Sequence, residues 1–134
     1  MSQENVDVIQ SAFDAFIRGD TDAVLQHCAK DIEITQPPEL PGAPPRQYGH
    51  SGVLEAFSIW PEQWDEFRID PPQFVADPGD LVIAKSGTRG RGKQSGAEVE
   101  MEFTYLFALR DGKIAQWRIF VSEDQALEAA GLRH

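Results

Sequence analysis

The sequence is poor in cysteine, histidine and basic residues. Cys28 is the single cysteine among 134 residues, so no intrachain disulfide can form and a reducing setting is expected. The three histidines lack the spacing of metal ligands, and we expect neither a metal nor another cofactor. The 12 basic residues face 22 acidic ones, for a formal charge of −10. This charge argues against nucleic acid and anionic membranes as partners, because their phosphates would be repelled.

Long apolar runs are also missing. No stretch approaches the ~18 apolar residues that a transmembrane helix requires. The first residues lack the basic start and apolar core of a signal peptide, so we expect a cytoplasmic protein. The length is typical of one domain with a substantial core, and we predict a single domain over residues 1–134.

Two long alternating runs in residues 97–121 organise the rest of the chain. They flank Asp111-Gly112, a strong signal for a tight β-hairpin turn. In the first run, glutamates at positions 98, 100 and 102 alternate with apolar residues, which predicts one charged and one apolar face. Strands of this length exceed the usual ~5–6 residues, so the sheet should twist and curl. A curled sheet with an aromatic face needs a cover, which we expect the N-terminal helices to supply.

Helical periodicity predicts a first helix over residues 2–18 and a second, capped by Asp20 or Thr21, that ends near residues 30–31. Cys28 falls within the second pattern and is interpreted as a small buried residue rather than a nucleophile. A short strand is predicted over residues 32–36. A final short helix, capped by Ser122 or Asp124, should follow the hairpin.

The proline-rich stretch over residues 37–48 predicts a loop, because proline cannot donate to a strand ladder. It is either the border of a pocket mouth or a passive crossover. Ser51 should cap a third helix, with Pro61 opening a further turn. Trp60 and Trp64 would then share a face, either as core packing or as a cavity wall.

The order of elements resembles the nuclear-transport-factor-2-like superfamily, and in particular its SnoaL-like (polyketide-cyclase-like) branch. The motifs that carry the resemblance are Arg18-Gly19-Asp20, Tyr48-Gly49-His50-Ser51-Gly52-Val53, Asp111-Gly112-Lys113-Ile114 and Ala126-Leu127-Glu128-Ala129-Ala130-Gly131-Leu132. The resemblance implies an α+β cone, in which a strongly curved mixed or antiparallel sheet wraps a pocket capped by N-terminal helices. It also implies a homodimer.

The same resemblance assigns residues to the pocket. The polar candidates are Tyr105 and Gln36, which would act as the catalytic or ligand-contacting pair. The other pocket positions are Phe16, Phe57, Trp60, Trp64, Ser86, Thr88, Phe103, Phe107, Trp117, Ile119 and Val121. Tyr105 is either a ligand contact or a satisfied core tyrosine.

The superfamily includes ketosteroid isomerase, which uses a general-base Asp and an oxyanion hole. By the resemblance, its base falls on Gln36, its protonated Asp on Tyr105 and its tyrosine near Ala12. Glutamine does not titrate usefully, so ketosteroid isomerase activity is not expected. Whether the chain is an enzyme stays open.

The charged face has a structural explanation. A register that pairs Arg89 with Glu98 and Lys85 with Glu102 would set opposite charges side by side. An interface between two copies is the alternative, since relatives often dimerise through that face. A catalytic role together with Arg118 is disfavoured, because these residues have the parity of the outer face.

The sequence therefore predicts a protein that binds a small, largely hydrophobic organic molecule, with lyase-, isomerase- or cyclase-like chemistry if it is catalytic. One alternative is a non-catalytic ligand carrier or dimerisation domain whose own aromatics fill the pocket. Another is a hydrolase or cyclase that uses Glu33, Glu123 or Asp124.

Overall fold

The computed structural model describes residues 3–39, 46–93 and 95–132, except for the side chains of residues 59–65. Four helices and seven strands lie in these ranges. The helices are α1 (Gln3–Ile17), α2 (Thr21–Gln26), α3 (Gly49–Gln63) and α4 (Glu123–Ala129). The strands are β1 (Cys28–Thr35), β2 (Arg46–Tyr48), β3 (Trp64–Ile69), β4 (Gln73–Ala76), β5 (Leu81–Gly92), β6 (Glu98–Arg110) and β7 (Lys113–Phe120).

The strands form one mixed sheet in the order β2-β1-β7-β6-β5-β3, with β4 also paired to β5. Only the β1–β7 pairing is parallel among the described strands. The sheet is curved and does not close on itself. Register shifts interrupt four of its pairings, and such bulges bend a strand and increase its twist. The predicted α+β fold with N-terminal helices is thus confirmed.

The predicted hairpin is present between β6 and β7. Asp111 and Gly112 have φ values of 54° and 75°, the left-handed conformations that a type I′ turn requires. The turn aligns Tyr105 with Ile119 and Phe107 with Trp117. Because alternate residues of a strand share a face, this register collects the aromatic residues on one side of the sheet.

That side carries the main core. Ile9 and Phe13 of α1, Val53 of α3 and Phe103 of β6 are among its buried members. A smaller cluster on the other side packs Leu127 of α4 onto the sheet. The helices α1 and α3 therefore cover the aromatic face, while α4 covers part of the opposite face.

The helix ends follow local signals. The Asp20 side chain accepts a hydrogen bond from the Ala23 amide and caps α2, and Ser122 caps α4 in the same way through Gln125. The third helix begins at Gly49 rather than at the predicted Ser51. Its first turn is held to β1 by a contact of 3.1 Å between His50 Nε2 and the Cys28 carbonyl oxygen.

The second helix is shorter than predicted. It ends at Gln26, and Cys28 opens β1 instead of lying in a helix. Cys28 aligns with Ile114 of β7, and the Ile114 amide donates to the His27 carbonyl oxygen at 2.8 Å. Pairing with a strand far along the chain overrides the local helical pattern. In the predicted loop, β2 occupies residues 46–48, and residues 40–45 lie outside the described part.

Two further predictions were wrong. Helix α3 continues past Pro61 to Gln63, and residue 64 begins β3 opposite Gly92 of β5, so residues 60 and 64 do not share a helix face. The β5–β6 register is two residues away from the predicted one, with Arg89 opposite Glu100 and Arg91 opposite Glu98. Charges still pair, at 3.8 Å and 3.6 Å.

Candidate functional site

Two small cavities lie between the helices and the aromatic face of the sheet. The first, of about 40 Å³, is almost wholly apolar. It is lined by Ala12, Phe13, Phe16, Val24, Cys28, Ile32, Val53, Phe57, Tyr105, Phe107, Ile114 and Trp117. A volume of this size has room for a few water molecules.

The second cavity, of about 30 Å³, has more polar groups in its wall. It is lined by Phe16, Gln36, Ala56, Phe57, Phe67, Ile69, Thr88, Phe103, Tyr105, Trp117 and Ile119. Phe16, Phe57, Tyr105 and Trp117 line both cavities. We call these four aromatic residues the aromatic partition, because they border the two cavities on either side.

The aromatic partition is a packed group of rings from four elements. Phe16 of α1 stacks on Phe57 of α3 with ring centroids 4.5 Å apart. Phe57 meets Trp117 of β7 edge-on at 5.7 Å, and Trp117 lies 6.1 Å from Tyr105 of β6. Each separation is within the range of favourable aromatic pairs. The partition thus joins both covering helices to the centre of the sheet.

Tyr105 carries a buried hydroxyl at the second cavity. Burial raises the pKa of its phenol well above the usual value, and a hydrogen bond with Thr88 offsets part of that rise. The group therefore stays protonated near neutral pH and acts as a hydrogen-bond donor rather than a base. Two bonded hydroxyls have two protons, of which their mutual hydrogen bond uses one. One proton of the Tyr105–Thr88 pair is consequently not used by this hydrogen bond.

Trp117 contributes a second donor. Its indole Nε1 is buried and has no hydrogen-bond partner among the described residues. Leaving a buried donor unpaired costs roughly 1–3 kcal/mol, so native proteins rarely do so without reason. Trp117 lines both cavities, so this unpaired N–H belongs to a side chain of the candidate site.

Gln36 supplies the third polar group and belongs to a chain of side-chain amides. Its Nε2 donates to Gln47 Oε1 at 2.9 Å, and Gln47 Nε2 donates to Glu55 Oε1 at 2.9 Å. Gln36 and Gln47 are buried, whereas Glu55 is exposed on α3. We call Gln36, Gln47 and Glu55 the amide relay. It connects the second cavity to the protein surface.

Local packing fixes the middle of the amide relay. Gln47 aligns with Ile34 across the β1–β2 pairing and is only 3% exposed. Gly52 of α3 lies so close that a Cβ there would be 3.0 Å from the Gln47 carbonyl carbon. The absence of a side chain at position 52 is therefore what lets α3 approach β2 and hold Gln47 in place.

The structure brings most of the sequence-predicted pocket residues together. Nine of them line one or both cavities: Gln36, Phe16, Phe57, Thr88, Phe103, Tyr105, Phe107, Trp117 and Ile119. Ser86 is buried but donates to the Asp70 carbonyl oxygen, and Val121 packs against the core without lining either cavity. The side chains of Trp60 and Trp64 lie outside the described residues.

The predicted acids lie elsewhere. Glu33 alternates in β1 with the buried Ile32 and Ile34, Glu123 forms a 3.3 Å ion pair with Lys85, and Asp124 is exposed at the start of α4. Among the described residues, neither cavity is lined by Asp, Glu or His. Within the described part of the chain, the site accordingly offers hydrogen-bond donors and acceptors but no carboxylate or imidazole.

Sequence reasoning missed several contributors. Phe13 lines the first cavity but was not among the predicted pocket residues, although it belongs to the apolar face of α1. Gln47 and Glu55 had no usable signal, because one follows the proline-rich stretch and the other is an exposed helix acid. Across the described part of the chain, no group of three His, Cys, Asp or Glu residues is arranged to hold a metal ion. None of the described helices is both long and apolar enough to cross a membrane.

Solved structures with the same fold are numerous. An NTF2-like protein from Burkholderia xenovorans is 28% identical, with a TM-score of 0.75 over 96% of this chain and 97% of the other. A proposed polyketide cyclase from Sinorhizobium meliloti is 26% identical, with a TM-score of 0.66 over 88% and 99%. TerC co-crystallised with polyporic acid is 22% identical, with a TM-score of 0.77 over 94% and 97%.

Sequence comparisons give the family. No curated protein sequence matches this chain significantly. The model of the SnoaL-like domain matches residues 9–117, from the middle of α1 to the middle of β7. This match spans most of the chain and most of the residues that line the two cavities, and the chain therefore belongs to the SnoaL-like domain family.

Proposed function

We propose that this protein binds a small, largely hydrophobic organic molecule between the aromatic face of the sheet and helices α1 and α3. The observation that carries the proposal is the buried Trp117 Nε1, which has no partner among the described residues. A carbonyl or other acceptor on the ligand would pair with this N–H and with the remaining proton of the Tyr105–Thr88 hydroxyl pair.

The composition of the wall supports this proposal. Small-molecule sites are typically apolar concavities with a few placed polar groups. Here aromatic and aliphatic side chains surround Gln36, Thr88, Tyr105 and Trp117. A ligand acceptor at Trp117 would also remove the penalty of the unpaired donor, which adds to the benefit of apolar contact. Structural relatives include proposed polyketide cyclases and a protein co-crystallised with polyporic acid, which fits the same class of function.

Ligand binding requires the aromatic partition to move. Cavities of about 40 and 30 Å³ are far smaller than the ~300–1,000 Å³ of typical ligand sites. Phe16 and Phe57 are half-buried, and each belongs to a covering helix rather than to the sheet. Separating this stacked pair would merge the two cavities. The proposed bound state therefore differs from this one mainly in the positions of α1 and α3.

The available groups limit the chemistry of any reaction. Tyr105 and Trp117 can polarise a carbonyl and stabilise negative charge on its oxygen, as isomerase- or cyclase-type reactions require. Gln36 cannot abstract a proton at the position where ketosteroid isomerase has its base. We therefore propose ligand binding as the primary activity, with catalysis restricted to reactions that hydrogen bonding to a carbonyl can promote.

A second candidate is a non-catalytic ligand carrier or dimerisation domain. The small cavity volumes favour it, because the protein's own aromatics fill most of the interior. We further propose that two copies associate through the exposed charged face of β5 and β6, where Arg89, Arg91, Glu98 and Glu100 lie. Sedimentation equilibrium tests the association, and a monomer at all concentrations would contradict it.

Binding of acetophenone tests the primary proposal. We expect a dissociation constant in the millimolar range or tighter, with a downfield shift of the Trp117 indole proton as its N–H gains an acceptor. Two-dimensional proton–nitrogen NMR gives both quantities, and Trp117→Phe identifies the indole signal. Absence of any shift at the Trp117 indole during saturation with acetophenone would contradict the proposed site.

A further inference from the structure

We infer that the site between the aromatic face of the sheet and helices α1 and α3 takes electrically neutral carbonyl compounds and rejects the corresponding carboxylates. The inference deepens the proposed function and rests on it. It narrows the ligand class to uncharged molecules such as ketones, esters and amides. Its basis is the kind of side chain that surrounds the two cavities, together with the position of the neighbouring basic groups.

The side chains around both cavities are uncharged. Among the described residues, the walls consist of aromatic and aliphatic side chains together with Cys28, Gln36 and Thr88. The donors that these residues carry, such as the buried Trp117 N–H, are therefore neutral groups. A carboxylate in this space would give up its water without receiving an opposite charge in return, whereas a neutral carbonyl gives up far less.

Arg118 is the basic residue that lies between two wall residues of β7, and it belongs to the opposite face of the sheet. Its neighbours Trp117 and Ile119 line the second cavity. Because successive residues of a strand point to opposite faces, Arg118 has the parity of the outer face. Its guanidinium carbon lies 5.3 Å from the centre of the Phe120 ring, which packs on that side. Arg118 is thus not placed to meet an anion in either cavity.

Other basic residues near the walls in sequence have acidic partners. Arg89 pairs with Asp70 at 3.6 Å and with Glu100 at 3.8 Å, and Arg18 pairs with Asp20 at 3.6 Å. Both arginine side chains are exposed. The internal positions whose side chains are not described contain no Lys, Arg or His in the sequence. The surroundings of the two cavities therefore favour a ligand that needs no positive partner.

Two groups in the walls indicate how these surroundings act on negative charge. Burial raises the pKa of the Cys28 thiol from 9.0 to about 11, and it also raises the pKa of the Tyr105 phenol. In both cases the neutral form is favoured over the anion. For Cys28 the pKa is about two units higher, which corresponds to a factor of ~100 in the equilibrium between the two forms. A carboxylate ligand would meet the same surroundings.

The test compares benzamide with benzoate by NMR titration of the wild-type protein near neutral pH. The two probes share the ring and the number of non-hydrogen atoms, but benzoate is ionised. We expect benzamide to shift the Trp117 indole signal as acetophenone does. Benzoate should bind roughly 100-fold more weakly, the factor by which burial disfavours the Cys28 thiolate.

High salt separates the effect of the walls from that of the overall charge. The formal charge of −10 also repels an anion. Salt screens such long-range repulsion, because the Debye length is only about 3 Å at 1 M, but it does not restore water to a buried carboxylate. The affinity ratio should therefore persist in ~1 M sodium chloride. A ratio that falls to near one would overturn the inference, because surface charge would then explain the preference.

Ile119→Lys adds a positive charge to the wall. Ile119 is half-buried, lines the second cavity and aligns with Tyr105. We expect the ratio of benzamide to benzoate affinity to fall at least ~10-fold, because a nearby opposite charge stabilises a carboxylate by that factor or more. Ile119→Met is the matched control, since it has a long unbranched side chain without charge, and it should keep the wild-type ratio.

Thermal unfolding verifies that both variants are folded. Equal ratios in folded Ile119→Lys and Ile119→Met would overturn the inference. If Ile119→Lys does not fold, the wild-type ratio and its persistence in salt decide the question.

The outcomes separate the two proposals. Equal binding of benzamide and benzoate at Trp117 would overturn the inference and leave the proposed function intact. Binding of acetophenone without benzamide would also overturn only the inference, because polarity rather than charge would then govern selection. Failure of acetophenone and both probes to bind the wild-type protein would overturn the proposed function and the inference together.

Discussion

Phe16 and Phe57 stack with their ring centroids 4.5 Å apart, and both rings line both cavities. This contact links α1 to α3 across the aromatic face of the sheet. It also separates an almost wholly apolar space from one that contains Gln36 and Thr88. The size of the interior therefore depends on whether these two rings stay together.

Phe57→Ala should join the two cavities. We expect a loss of about 2–3 kcal/mol in the free energy of unfolding, below the usual cost of a fully buried Phe→Ala change because Phe57 is only half-buried. Acetophenone affinity should nevertheless rise several-fold, since the partition no longer has to open. Urea denaturation and NMR titration measure the two effects.

Phe120→Ala is the matched control for that change. Phe120 is also half-buried, but it packs with α4 on the opposite side of the sheet. It should lower stability without raising acetophenone affinity. A similar gain in affinity in both variants would show that loosening of the whole fold, rather than the partition, governs access.

Tyr105→Phe should weaken acetophenone binding by roughly 0.5–1.5 kcal/mol, the value of one neutral hydrogen bond. The change removes the phenol hydroxyl and keeps the ring contacts with Phe13 and Trp117. Calorimetric titration gives the affinity. The control is Tyr48→Phe, because Tyr48 is 58% exposed on β2 and lines neither cavity. Equal affinity of Tyr105→Phe and wild type would remove Tyr105 from the ligand contact.

Gly52→Ala should destabilise the protein by about 1–3 kcal/mol, the usual cost of overpacking. The added methyl would meet the Gln47 backbone at 3.0 Å and force α3 away from β2. Thermal unfolding measures the effect, with Ser51→Ala as the control, because Ser51 is the exposed neighbour of the buried Gly52. An unchanged melting temperature in Gly52→Ala would mean that α3 is not held against Gln47 as described.

Cys28 should react very slowly with iodoacetamide in the folded protein. Burial raises the pKa of its thiol to about 11, and nearby Lys113 lowers it only in part. At about pH 8 the thiolate fraction should be roughly a hundredfold below that of an ordinary thiol, because the pKa is about two units higher. Raising the pH toward this pKa should speed the reaction.

Intact mass spectrometry follows the adduct, since Cys28 is the single cysteine. The urea-unfolded protein is the control and should label at the ordinary rate. Rapid labelling of the folded protein near neutral pH would contradict the buried position of Cys28.

Local signals predicted the parts of the fold that local interactions determine. Asp111-Gly112 marked the hairpin because its turn needs two left-handed residues, and Asp20 marked α2 because its side chain caps the helix. Cys28 was misplaced because its strand exists only through pairing with β7. The β5–β6 register was predicted wrongly because β5 carries several basic residues and β6 several glutamates. Opposite charges can therefore pair in more than one alignment.

In the candidate site, too, local patterns predicted some residues, whereas others depend on long-range packing. Alternation along β6 and β7 was enough to place Tyr105 and Trp117 on the inner face. The amide relay could not be predicted, because its two hydrogen bonds join residues 11 and 8 positions apart across different elements. Only the three-dimensional approach of α3 to β2, through Gly52, brings these side chains into contact.

The parallel pairing of β1 with β7 has a consequence for how the chain folds. The β5–β6–β7 meander joins segments that are neighbours in sequence, whereas β1, apart from its short pairing with β2, joins a strand that lies more than half the chain away. During synthesis, α1, α2 and β1 leave the ribosome long before β7 does. We therefore expect β1 to join β7 late, after the meander that α1 covers has formed.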